Sequence, residues 1–263
     1  MIKEDDDVLQ GRTMDPNIKK LFRNEIAAEG AARFGLRPEE LTFIGGFQNF
    51  VYLYTREGCK YILRFTPSTL RTQEGLEAEL AWIQYLAENG MAVSESLPSA
   101  QGIAVERIPG ETISFFATSF KHAPGRKIGY PECLGNPGLY EQCGRLTGRL
   151  HELARSYKPL VKRHSWERNE YLVNAGEDSK SERMVQYDVF IEHFEQGYAE
   201  DGRQLPNGWK EQLPLFLRLR EIIVFVGMNR SLDLRQPDDW TRDFLRDSRM
   251  RMTNDRSLID DFL

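Results

Sequence analysis

The sequence is short of cysteine: Cys59, Cys133 and Cys143 are the only three in 263 residues. An odd number without metal-ligand spacing excludes a disulfide framework and a zinc site, and fits a reducing compartment. Apolar runs long enough to span a membrane are missing. So is an excess of positive charge. Against 35 Lys and Arg stand 40 Asp and Glu, a formal net charge of −5, which gives nucleic-acid binding no support. The basic cluster Arg155, Lys158, Lys162, Arg163 and His164 has no interleaved aromatics and reads as a solvated face. The opening residues, MIKEDDDVLQ, lack the apolar core of a signal peptide, so the expected location is cytoplasmic. No internal repeat is found. What remains is an ordinary globular composition, 40% hydrophobic and 29% charged, long enough for one large or two small domains.

The most informative stretch is residues 41–88. Apolar runs at 41–44, 50–55 and 60–65 are separated by Gly45-Gly46 and by Arg56-Glu57-Gly58. Runs of this length, rich in β-branched and aromatic residues and broken by glycine turns, predict an antiparallel meander. From Thr72 to Glu88 the period changes. Leu76, Leu80, Ile83 and Ala87 recur at helical spacing, with Leu86 beside them. Glu77 shares a face with Gln84 and Glu88 and reads as solvated. Glu79 lies at the edge of the apolar stripe, where a carboxylate needs a partner. Arg64, in KYILRF, is the nearest one, and a purely structural ion pair explains the two residues as well as a functional one does.

Around this stretch, residues 15–34 predict a helix capped by Asp15 and ended by Gly35. Residues 103–108 and 112–120 predict two more strands about the turn Pro109-Gly110-Glu111, which makes a five-stranded antiparallel sheet. Residues 137–157 predict a helix with Leu139, Cys143, Leu146, Leu150 and Leu153 on one stripe. Its Gly144 and Gly148 allow a close backbone approach. His151 reads as a packing residue. The polar run NAGEDSKSER predicts a loop, and helices are predicted after it at 184–198, 209–228 and 237–252. The middle one is more apolar all round and is expected to be the buried helix of the second lobe; Arg218, Arg220 and Glu221 interrupt it and read as paired structural charges rather than as groups facing a substrate groove.

Strand, GGFQN, strand, ILR and a helix with an inward Glu, in that order, resemble the nucleotide-binding lobe of the aminoglycoside phosphotransferase and choline kinase superfamily, which is protein-kinase-like. The resemblance continues through FKHAPGRK and GRLTGRLHELARSYKP and covers most of the chain. It implies an α+β, two-lobed fold: residues 1–121 as an N-lobe of nucleotide-binding type, residues 122–263 as a helical C-lobe. It implies Gly45, Gly46, Asn49, Arg64, Glu79, Phe120 and Lys121 as the nucleotide-binding set, with ATP and magnesium as cofactors and a small hydroxyl-bearing substrate. The linker at Phe120-Lys121-His122 would meet adenine through its backbone.

The superfamily's reaction also needs an H-G-D-x-x-x-x-N catalytic loop and a later D-F-D or D-x-D metal motif. Neither is present. His122, His151, His164 and His193 are not followed by Gly-Asp, and no D-x-D comes after the strands. The string IDDFL closes the chain without a strand before it. RHSWERNEYLVNAGEDSK resembles the family's segment before the catalytic loop, and SERMVQYDVFIEHF its segment after the metal motif. The sequence therefore predicts a truncated C-lobe with a segment absent near residues 175–183. No catalytic or metal residue is assigned; Asp178 and Asp188 are the nearest acids. Leu172, Tyr187 and Phe190 are expected to lose packing partners, which a homodimer or repacking would cover. Three readings stay open: an inactive phosphotransferase by descent, a non-catalytic binding or regulatory protein, and an unrelated α+β protein.

Overall fold

The computed structural model describes residues 16–46, 48–126, 128, 132–133, 135–159, 187–231, 234, 237 and 239–254. The expected gap at 175–183, with Leu172 and Asp178, lies outside them. The chain divides into two compact units.

The first unit is an antiparallel sheet clad on both faces. Its elements are α1 (Pro16–Leu21), α2 (Asn24–Arg33), β1 (Thr42–Gly45), β2 (Phe50–Arg56), β3 (Cys59–Pro67), α3 (Gln73–Glu88), β4 (Ser96–Leu97), β5 (Glu106–Pro109) and β6 (Ser114–Lys121). The strand order is β1-β2-β3-β6-β4, with β5 also paired to β6. The five expected strands are there, and the two-residue β4 is a sixth, too short to show a period.

Alternation along the strands sorts the side chains into two layers. Phe50, Leu63, Phe65, Ile108 and Phe115 pack with Ile26, Ala31 and Phe34 of the α2 side. Phe116, Phe120 and Ile62 pack with Leu76, Leu80 and Ile83 of α3. Thr72 caps α3 by accepting from the Gly75 N–H at 3.1 Å, and Gly90 lies just past its end with φ +76°.

The expected single helix over 15–34 is two helices, broken at Phe22 and Arg23. Phe22 stacks on Phe50 at 3.8 Å and meets Phe65 and Phe115 edge-on. Aromatic packing at this point overrides local helix propensity. Asp15, the expected cap, lies outside the described residues.

The second unit is built on α4 (Pro137–Ser156) and α5 (Tyr187–Tyr198). Asn136 caps α4 by accepting from the Leu139 N–H at 3.0 Å. The two helices meet backbone to backbone. A Cβ on Gly144 would run into the Phe194 carbonyl, and one on Gly197 into the Glu141 carbonyl. His151 Nδ1 lies 3.0 Å from the Tyr198 hydroxyl and His193 Nδ1 2.9 Å from Glu141 Oε1. His151 thus contacts Tyr198 of α5 but remains exposed, so the packing role expected of it is only partial.

The remaining helices are α6 (Trp209–Ser231) and α7 (Asp239–Thr253), each shared between the units. The expectation that α6 is buried all round is corrected: Leu215 and Phe216 are 65% and 60% exposed. Its packed face instead carries Glu221, which pairs with Arg251 of α7 and accepts from Ser248 Oγ at 3.0 Å. Glu221 is thus the structural charge expected, with Arg251 as its partner. Among the described residues no helix is long and apolar enough to cross a membrane.

Replacing Gly144 or Gly197 by Ala forces α4 and α5 apart, and we expect a loss of about 1–3 kcal/mol in urea unfolding. Gly138→Ala is the control: the nearest atom to a Cβ there is 3.8 Å away, so no loss is expected. Glu221→Ala, which removes the carboxylate from a buried guanidinium, should cost about 3–5 kcal/mol in the same measurement.

Candidate functional site

The sheet face that carries α3 also carries the candidate site. In register, Gly45 lies opposite Val51, Val51 opposite Arg64, and Arg64 opposite Thr118. One row across four strands therefore runs from the glycine turn past the cation to Thr118.

The turn is glycine for steric reasons. Gly45 and Gly46 have φ of +115° and +148°, a region other residues rarely adopt. A Cβ on Gly46 would collide with the Asn49 carbonyl, while one on Gly45 would meet nothing within 4 Å among the described residues, and Gly46 itself is exposed. Asn49 is tied to the sheet: its Oδ1 accepts from the buried Thr66 Oγ1 at 2.7 Å. Backbone next to the turn is therefore approachable from outside, and the turn is anchored from behind.

Arg64 is held three ways. Its Nε donates to Thr118 Oγ1 at 3.2 Å and its Nη2 to Glu79 Oε1 at 2.9 Å. The guanidinium carbon sits 4.8 Å from the centroid of the Phe120 ring, a cation–π distance. Nη1 makes no hydrogen bond among the described residues. The Arg64 and Glu79 side chains are 21% and 38% exposed, so solvent reaches the pair.

Of the expected residues, Gly45, Gly46, Asn49, Arg64, Glu79 and Phe120 come together through this row and its supports. The Lys121 side chain does not. Lys121 is an odd number of residues from Thr118, so it points to the opposite face, and its Nζ donates to Glu95 Oε2 at 2.8 Å. Its N–H donates to the Glu95 carbonyl at 2.9 Å and the His122 N–H to the Lys60 carbonyl at 3.1 Å. Thr118 and Thr66 were not anticipated. Thr118 could have been found from β6 alternation, which sets it on the same face as Phe120.

A phosphate group fits these residues: approachable backbone at a glycine turn and a fixed guanidinium are its usual partners. A divalent ion does not fit them. Magnesium is bound through carboxylates together with phosphate oxygens. Among the described residues no group of three or more His, Cys, Asp or Glu converges. The whole sequence has no H-G-D, and no D-x-D after the strands. Asp178 and the Asp188 side chain lie outside the described residues.

Residues 40–217 match the family model described as Phosphotransferase enzyme family, and the chain belongs to that family. It is 36% identical over 161 residues to amicoumacin kinase of Bacillus subtilis (strain 168), an alignment of 59% of this chain and 47% of that protein. The match thus spans about half the length of that curated relative. Among solved structures, an amicoumacin kinase in complex with AMP-PNP, Ca2+ and Ami is similar with a TM-score of 0.77 and 22% identity, over 93% of this chain and 97% of that one. A microcompartment-associated aminopropanol kinase is similar with a TM-score of 0.66 and 15% identity, over 85% and 94%. The α+β, kinase-like fold implied by the sequence is the fold of the molecule.

Because solvent reaches Glu79 and Arg64, the pair should add little to stability. Glu79→Gln is expected to shift the unfolding free energy by less than about 1 kcal/mol, read by urea titration. A loss several times larger would mark the pair as a structural one.

Proposed function

We propose that this protein descends from small-molecule phosphotransferases and binds a nucleotide on the Arg64 face of its sheet without transferring the phosphate. The observation that carries this reading is the row from Gly45 to Thr118. It offers an approachable turn and a cation fixed by Thr118, Glu79 and Phe120, while the sequence lacks both acid motifs of the reaction.

In this reading, residues 1–121 form the nucleotide-binding lobe and residues 122–263 a helical lobe without its catalytic segment. The turn at Gly45-Gly46 covers the phosphates with its backbone. Arg64 neutralises part of their charge, and Glu79 and Thr118 keep the guanidinium aimed. The linker after Phe120 meets the base. Two of its N–H groups, on Lys121 and His122, are already engaged with protein carbonyls, so the base would use other backbone groups. The acceptor class suggested by relatives named for amicoumacin and aminopropanol is a hydroxyl-bearing amine, which a net charge of −5 would suit.

Phosphoryl transfer rests on positioning and charge neutralisation. Without an Asp to orient the acceptor hydroxyl, a transition-state contribution of several kcal/mol is lost, or orders of magnitude in rate. Such a protein would act by binding, as a regulatory member of an otherwise enzymatic family.

The test is a coupled ATP-turnover assay with magnesium over a panel of amino alcohols and aminoglycosides, in protein of verified mass. The expected result is turnover no higher than buffer. Turnover that disappears in Arg64→Ala would overturn the claim of inactivity.

A further inference from the structure

We infer that this site takes its nucleotide without a divalent ion, an inference that rests on the nucleotide-binding reading above. In phosphotransferases the metal bridges phosphate oxygens and offsets their charge. Among the described residues that task has no carboxylate set to support it. Among the described residues no three potential ligands converge, and the sequence has neither motif that would supply them. The carboxylate beside the cation among the described residues, Glu79, is already bonded to Arg64 Nη2 at 2.9 Å. A metal ion would have to compete with the guanidinium for it.

The residues present suit direct anion binding instead. An arginine is always charged, and its planar fork can grip two phosphate oxygens at once, which a lysine cannot. Arg64 is already fixed by Thr118, Glu79 and the Phe120 ring, so little side-chain freedom remains to be lost on binding. Both Nη1 N–H groups and the second one on Nη2 are left over among the described residues, so the Nη1–Nη2 end of the fork can still donate. Magnesium in solution should then act only as a competitor, because it chelates the free triphosphate.

The experiment is fluorescence titration of the full chain with a mant-labelled ADP and a mant-labelled ATP, in EDTA and in millimolar magnesium. We expect binding in EDTA that magnesium leaves unchanged or weakens for both nucleotides, more for the triphosphate than for the diphosphate, which it chelates less strongly. Arg64→Ala should weaken binding in EDTA by about tenfold or more, and Arg64→Lys by several-fold, since it keeps the charge and loses the fork. Circular dichroism checks that each variant folds; Thr118→Val, which frees Nε, serves if Arg64→Ala does not. Binding that tightens severalfold with magnesium would overturn the inference and leave the nucleotide site standing. An Arg64→Ala protein that folds and binds like the parent would overturn it as well. No binding in either buffer would overturn the nucleotide-binding reading itself.

Discussion

The first unit turns on how closely α2 can lie over β3. Phe65 is fully buried there, with Phe22 and Tyr52 against it at 5.2 and 5.8 Å. The helix residue above it is Gly30, where any Cβ would strike the Phe65 ring. Leu63 sinks into the same layer. Because a strand alternates, fixing Leu63 and Phe65 on one face forces Ile62 and Arg64 onto the other. The guanidinium is thus aimed by the two apolar residues beside it before any polar contact is made. Thr118, opposite in register, then catches it.

The two Arg–Glu pairs differ in kind. Glu221 and Arg251 are almost wholly buried, at 2% and 3% exposure. Desolvation there is offset only in part by mutual attraction and by Ser248, and removing one partner takes the opposite charge from a buried ion. Arg64 and Glu79 keep contact with water. Their attraction is screened, so the fold does not lean on them. A pair that contributes little to stability can exchange one of its partners for a ligand, which the buried pair cannot do.

Much of this was legible in the sequence because it depends on short-range rules. Glycine turns and a change from strand to helix period located the meander, α3 and α4, and the edge position of Glu79 pointed to Arg64. What stayed hidden depends on distant partners. Nothing local breaks the helix at Phe22; a ring on β2 does. Gly144 and Gly148 stood out at helical spacing, but Gly197, which completes the contact, is a lone glycine inside an apolar helix. Phe216 looked buried because α6 is more apolar all round, and apolarity alone does not say which side is covered. Lys121 belonged to the right strip of sequence and the wrong face of its strand.

The glycine contact between α4 and α5 also fixes their register. Helices held by interlocking side chains can slip by one turn when the side chains find new grooves, and such ratchets underlie some conformational switches. Here carbonyls of one helix rest against bare Cα positions of the other. A slip of one turn, about 5.4 Å, would bring Tyr140 to the place of Gly144, where only hydrogen fits, or Glu152 to that of Gly148, where a Cβ would sit tightly at 3.0 Å from the Tyr198 carbonyl. No rotamer change relieves that clash, since it involves the Cβ itself. The two helices therefore have one alignment available, and any motion of this unit must carry them together.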